Sequence, residues 1–202
     1  MSLIPVGAVI AAFLLGGIPF SHVIARLRGV DLRSVGSGNI GATNLARALG
    51  YGAGALGLLL DAAKGAAAVL ICRALPGVAA TPVLEALAAA AAILGHSFSP
   101  FLRFRGGKGV ATGAGAFAVL APGATLAALA VFAVVVALTR IVGIGSVLAA
   151  LTLPLAAYLQ GAPRAVTIAA GLVSILVVVR HRANLTRLLR GTEHRLGTRS
   201  QS

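Results

Sequence analysis

Acidic side chains are scarce in this sequence: Asp and Glu number 4 against 17 Lys and Arg, a formal net charge of +13. Aromatic residues make up 4% of the chain and tryptophan is missing. So basic a balance in a soluble protein would point to nucleic acid, but such surfaces interleave basic with aromatic side chains, and none is legible here. No nucleic-acid partner is expected. Cysteine is nearly absent too. Cys72 alone, in an apolar segment, excludes an intrachain disulfide and a cysteine metal cluster. Positive charge does not precede the first apolar run, as a cleavable signal peptide would require; Arg26 and Arg28 follow it. The first helix is therefore expected to be retained, with its amino end outside.

What the sequence does have is apolar length. Hydrophobic residues make up 58% of its 202 positions, and mean hydropathy is +0.99, far outside the range of a soluble domain. The expected fold is an all-α integral membrane protein. A spanning helix needs about 20 mostly apolar residues, and candidates fall near 3–25, 53–75, 81–96, 108–121, 123–139, 143–160 and 164–180. Pro76, Pro82, Pro122 and Pro163 mark the turns. This gives a seven-transmembrane-helix bundle, one membrane-embedded domain over 1–202. A five-helix arrangement, with part of the Gly-rich 108–139 stretch merged or re-entrant, is the alternative.

With seven helices and an outside amino end, the carboxyl end is cytoplasmic. Arg73 and Arg164 then fall outside, Lys64 lies within a helix, and every other basic residue, Arg199 included, collects on the cytoplasmic side. That is the asymmetry the positive-inside rule describes.

Three stretches on that face carry the unusual residues. "GSGNIGATNLAR", Gly36 to Arg47, contains Gly36, Gly38 and Gly41 at G-x-G-x-x-G spacing. The dinucleotide reading of that string needs a strand before it and an acid about 20 residues on that meets a ribose. Here a membrane-length run precedes it, and the acid at that distance, Asp61, lies inside another apolar segment. Small residues with Ser37, Asn39, Thr43 and Asn44 suit instead a nest of backbone N–H groups for a phosphate or oxyanion, with a plain helix cap as the alternative for Thr43 or Asn44.

The second stretch, "GHSFSPFLRFRGGKGVAT", fails the P-loop pattern because Leu102 and Gly109 occupy the required positions. Gly106, Gly107 and Gly109 would still let the main chain approach a ligand beside the point charge of Lys108. In the third, "RHRANLTRLLRGTEHR", His181, Asn184 and Arg187 recur at a spacing that places them on one helical face. Taken alone, this stretch also suits a basic amphipathic tail on anionic lipid. Asp61 and Lys64, three apart in an apolar helix, are expected to form an ion pair pointing into the bundle. Glu85 is expected to be solvated at the outer end of its helix, and His22 to be interfacial.

Several chemistries find no support: there is no HExxH or Cys/His cluster, so no metal is expected, and no G-x-S-x-G elbow. The H-x-x-x-x-D pair of soluble-type glycerolipid acyltransferases is missing, since Leu27, Phe101, Thr186 and Arg199 stand five residues after the histidines.

Taken together and in order, the three stretches resemble the signature loops of the bacterial acyl-phosphate-dependent glycerol-3-phosphate acyltransferases, the PlsY family, over the full chain length. The resemblance implies a seven-helix bundle in the bacterial cytoplasmic membrane with its site facing the cytoplasm. It implies an acyl phosphate donor, glycerol 3-phosphate as acceptor, lysophosphatidic acid as product and no cofactor. Further partners expected are membrane lipids and the enzyme that makes acyl phosphate. By the same resemblance Ser37, Lys108, His181 and Asn184 are catalytic. Gly36, Gly38, Asn39, Gly41, Thr43, Asn44, Arg47, His96, Gly106, Gly107, Gly109, Thr112 and Arg187 bind substrate. Ser146, in "IVGIGS" where the family more usually carries "VSLAS", matches a further substrate contact. Asp61, Lys64, Arg182 and Glu193 are structural or unassigned. An organic-phosphate transporter is the alternative, but transporters usually show repeat symmetry with paired broken helices, and no repeat is present.

The orientation is checked by labelling. In a Cys72→Ser background, a cysteine at Ser34 should be shielded from an impermeant thiol reagent in intact cells while one at Ala162 reacts; reaction at Ser34 from outside would reverse the topology.

Overall fold

In the computed structural model, residues 3–76 and 81–197 are described; Arg199 lies outside them. The chain forms two compact units, dividing after Leu120.

The first unit holds α1 (Ile4–Gly17), α2 (Phe20–Leu27), α3 (Ala42–Leu49), α4 (Tyr51–Ala74), α5 (Pro82–Ser97), a 3-10 turn at Pro100–Leu102, and α6 (Val110–Leu120). α4 is its axis, packing against all five other helices. Close approach there depends on glycine. A Cβ at Gly65 would overlap the Thr112 carbonyl, one at Gly115 the Ala62 backbone, and one at Gly16 the Ala92 backbone. The core between α1, α4 and α5 is correspondingly small-sided, built from Ala8, Ala12, Ala68, Cys72, Ala88, Ala91 and Ala92. A second cluster, Ala25, Leu32 and Leu45, fills the space under the loop between α2 and α3.

The second unit holds α7 (Pro122–Thr139), α8 (Val142–Leu159), α9 (Arg164–Arg180) and α10 (Arg182–Leu189), with α8 packed against the other three. Pro82 and Pro122 open their helices and Pro163 stands at the amino end of α9, as helix-starting prolines should.

All seven apolar segments are helical, with two departures from the sequence reading. The first run is broken. Pro19 lacks an N–H and pushes the residue before it out of the helical region, and Ile18 is extended at φ −60°, ψ 119°. The fourth segment is short: α6 has 11 residues, about 17 Å at 1.5 Å per residue against a hydrocarbon core of about 30 Å. Among the described residues, five stretches are long and apolar enough to cross a membrane, namely Ile4–Leu27, Tyr51–Ala74, Pro82–Leu102, Pro122–Thr139 and Val142–Leu159. α9 with α10, bent by 52° between them, makes a sixth. Large apolar side chains such as Leu59, Leu126, Leu155 and Leu172 face outward, as lipid-facing surfaces require. The protein is an all-helical integral membrane protein.

Gly115→Val should lower thermal stability in detergent by about 1–3 kcal/mol, the usual cost of overpacking. Gly171→Ala in α9, where a Cβ meets nothing within 4 Å, should leave it unchanged or slightly raised.

Candidate active site

The first loop is shaped by one buried amide. Asn44, 1% exposed, accepts the Ser37 N–H at Oδ1 (2.9 Å) and donates through Nδ2 to the carbonyls of Leu32 (2.9 Å) and Val35 (3.0 Å). Neither alternative considered for it from sequence describes this: Asn44 lies inside α3 and organises the loop ahead of it. Gly36 and Gly38 have φ of +53° and +68°, and a Cβ at Gly36 would overlap Asn44 Oδ1. The loop also uses part of its own nest. Ser37 N–H goes to Asn44, and Gly38 N–H goes to the Val35 carbonyl at 3.0 Å. What remains is the start of α3, with Gly41 at its N-cap and no side-chain cap, so the Ala42 and Thr43 N–H groups have no intrahelical acceptor. Arg47, one turn on, runs its stem past Gly36. Upstream, Asp31 takes the Arg33 N–H (3.0 Å) and the Arg26 guanidinium (2.6 Å). The Arg33 N–H, then the arginine charges, hold its carboxyl below the ordinary 3.8. With the folded value depressed, this contribution to the turn is present at neutral pH and lost as pH falls through the folded value.

The second loop folds back on the helix it leaves. Gly106 and Gly107 N–H groups bond to the Ser97 (3.2 Å) and His96 (3.0 Å) carbonyls, closing the end of α5. A Cβ at Gly106 would strike the His96 carbonyl, one at Gly107 would strike His96 Nε2, and one at Gly109 would come within 2.9 Å of Ile93. The chain itself therefore requires these glycines, a demand that the ligand-approach reading left out. Arg103 and Phe104 both have left-handed backbone, φ 53° and 61°, unusual for side-chain-bearing residues. Lys108, half-buried, immediately precedes Gly109 and α6. Ser97 Oγ and Thr112 Oγ1, each 0% exposed, have no hydrogen-bond partner among the described residues. An unpartnered buried hydroxyl is costly, and the two stand at opposite ends of the second loop in sequence, beside His96 and near Gly109. Thr112 is among the residues that the family resemblance implies. Ser97 is not, although it stands next to His96.

The third stretch turns on Gly191. At φ +71° it lets the chain reverse after α10, with Thr192 N–H to the Arg187 carbonyl (2.9 Å) and Gly191 N–H to that of Leu188 (3.0 Å), a Schellman closure. The reversal brings back Glu193, whose Oε1 accepts from Asn184 Nδ2 (2.6 Å) and Oε2 from Arg187 Nε (2.8 Å). Asn184 also packs on Gly143, where a Cβ would stand 3.0 Å from its Nδ2. One turn on, Ser146 Oγ donates to the Val142 carbonyl (2.9 Å). His181 is 3% exposed with Nδ1 2.7 Å from the Val177 carbonyl. Because a carbonyl only accepts, Nδ1 carries the hydrogen, and in the neutral ring the lone pair is then on Nε2. Arg182 is exposed, its carbonyl accepting from Thr186 Oγ1.

Among residues read individually, Asp61 and Lys64 do pair, at 2.8 Å, with both side chains no more than 3% exposed. Glu85 is not solvated: Arg73 grips it at 3.0 and 2.6 Å, and its side chain is 12% exposed. His22 is buried, its Nδ1 without a hydrogen-bond partner among the described residues.

Comparison with known proteins gives the family. The family described as glycerol-3-phosphate acyltransferase matches residues 6–191. The chain belongs to that family. A glycerol-3-phosphate acyltransferase of Anaeromyxobacter dehalogenans (strain 2CP-1) is 48% identical over 193 residues, 93% of this chain and 95% of that one. The crystal structure of PlsY (YgiH), an integral membrane glycerol 3-phosphate acyltransferase, in its glycerol 3-phosphate form superposes with TM-score 0.89 at 42% identity over 96% of both chains. Its lysophosphatidic acid form gives 0.87 and 40% over the same share of both.

Glu193→Ala should leave Asn184 and Arg187 without their shared anchor and lower kcat/KM by about tenfold, the effect of losing a bond that orients a substrate-facing side chain. Glu193→Gln, which keeps an acceptor for one of the two, should fall between; steady-state kinetics on matched folded protein checks both.

Proposed function

We propose that this protein transfers a fatty acyl group from acyl phosphate to glycerol 3-phosphate, giving 1-acyl-glycerol 3-phosphate and inorganic phosphate. The observation that carries the reading is the uncapped amino end of α3, held open by Asn44 in a family of glycerol-3-phosphate acyltransferases. Free N–H groups at a helix start suit a phosphate or a developing oxyanion.

In this reading the first unit handles the donor. Gly36, Ser37, Gly38, Asn39, Gly41 and Thr43 form the cradle, with Asn44 fixing its shape. Lys108 supplies a point charge to a phosphate, and Arg47, His96 and Thr112 complete the polar lining. In the second unit, Ser146, His181, Asn184 and Arg187 are the residues that the family resemblance implies for substrate and catalysis, the last two oriented by Glu193. The glycerol hydroxyl oxygen bonds to the acyl carbon, and the carbon–oxygen bond to phosphate breaks with its electron pair leaving on phosphate. The hydroxyl proton goes to His181 Nε2 or to a substrate phosphate oxygen. Acyl phosphate is already activated, so orientation and oxyanion stabilisation suffice without a covalent intermediate or metal.

The distribution of basic residues supports a single embedded domain in the bacterial cytoplasmic membrane. In this reading seven helical segments lie in the membrane, α6 among them although it is shorter than the hydrocarbon core, with the amino end outside and the site toward the cytoplasm. Membrane lipids surround it, and the enzyme that makes acyl phosphate is the natural neighbour for a donor of that chemistry.

The test is purified protein with labelled glycerol 3-phosphate and, separately, acyl phosphate, acyl-CoA and acyl carrier protein. Acyl phosphate alone should give labelled lysophosphatidic acid, with one phosphate released per turnover; product from acyl-CoA alone would overturn the donor. Lys108→Ala should lower kcat/KM by about a hundredfold or more. His181→Gln should lower kcat by about a hundredfold if the imidazole takes the proton; near-normal activity assigns that proton to substrate phosphate.

A further inference from the structure

We infer that the buried Asp61–Lys64 pair is a positioning device: it ties both substrate loops of the first unit to the break between α1 and α2. The inference rests on the acyltransferase reading only for what the loops bind.

At the break two carbonyls take side-chain donors from distant elements, that of Ile18 in addition to the Phe20 N–H at 3.2 Å. Lys64 Nζ donates to the Ile18 carbonyl at 2.6 Å, and Ser99 Oγ, from the second loop, donates to that of Gly17 at 2.6 Å. Asp61 Oδ1 balances the ammonium at 2.8 Å, and the Phe20 ring centroid lies 5.8 Å from it. Asp61 then reaches in two further directions. Its Oδ2 accepts from Ser21 Oγ at 3.0 Å, which docks the first turn of α2 on α4. Beyond α2 the chain enters the first loop. Its Oδ1 stands 3.8 Å from His96 Nδ1, and the far edge of that imidazole occupies the space over Gly107, next to Lys108. One carboxylate thus faces the stem of the first loop and the base of the second.

Stability does not explain the pair. A buried ion pair in apolar surroundings contributes little over well-packed apolar side chains, and charges within a membrane span are expensive. The two side chains are no more than 3% exposed and are committed to each other and to neighbouring elements, which suits positioning rather than reaction. What they supply is direction: each fixes the angle of a neighbouring element, a result that apolar contact does not reproduce.

The experiment replaces both charges at once, Asp61→Leu with Lys64→Met, so that no lone charge is left buried, and reads the detergent-solubilised full chain in two ways. Hydrogen exchange of peptides covering 29–41 and 98–109 should quicken by about tenfold or more while α7 and α8 are unchanged. kcat should fall by about tenfold or more with a smaller change in KM, as misplacement of reacting groups does. A folded double variant with wild-type exchange in both loops overturns the inference, whatever its activity. Ser21→Ala carries the same decision if the double variant does not fold: quickened exchange in 29–41 supports the inference and unchanged exchange overturns it. Failure of the wild type to use acyl phosphate would sink the functional reading, and the exchange data would still decide this one.

Discussion

A peptide carbonyl inside a bilayer has no water to turn to, and a helix interrupted by proline exposes such carbonyls where they are most costly. Around that constraint the first unit is organised. Pro19 breaks the first span, and the Gly17 and Ile18 carbonyls there take side-chain donors from far along the sequence, Ser99 and Lys64, with the Phe20 N–H as a weaker local donor to Ile18. A defect in one helix thereby becomes the point at which α2, α4 and the second loop are fastened. Lys64 needs Asp61 as counter-charge, and Asp61, once there, has a second oxygen for Ser21. Each polar group accounts for the next.

The loops follow a related rule. The first loop rests on the Ala25–Leu32–Leu45 cluster, and in both loops hydrogen bonds to backbone groups fix the conformation. Asn44 bonds three backbone groups in the first loop, and the ends of the second loop return to carbonyls of α5. In the second unit Glu193 does by charge what Asn44 does by amide, bringing Asn184 and Arg187 onto one acceptor group. Such anchors are short-range and directional, so they hold a substrate-facing backbone in shape without covering it.

Local pattern made much of this legible in sequence. The apolar runs and their prolines located the helices to within a few residues, and the i, i+3 spacing of Asp61 and Lys64 was enough to expect an ion pair. The three loops stood out because glycine, asparagine and basic residues cluster there against an apolar background. Hidden were the choices of partner. Nothing near Asn44 says that it will bond Leu32 and Val35 in place of capping a helix. Nothing near Glu85 announces Arg73, twelve residues away on another helix. The break at Pro19 was masked by hydropathy, which does not register a lost donor. Glycine was ambiguous for the same reason. Gly107 reads as room for a ligand, yet the group over it is His96, and only the packed structure distinguishes the two.

The glycine contacts along α4 also bear on motion. Gly65 and Gly115 act as notches, each seating a backbone carbonyl of the facing helix. If α4 slipped one helical turn along α6, Asp61 or Val69 would arrive opposite the Thr112 carbonyl, where there is space for a hydrogen atom and nothing larger. Axial sliding is thus blocked in both directions, and the pair of helices has one register. Whatever opening and closing accompanies turnover in this unit belongs to its loops, which move relative to a frame that keeps its place.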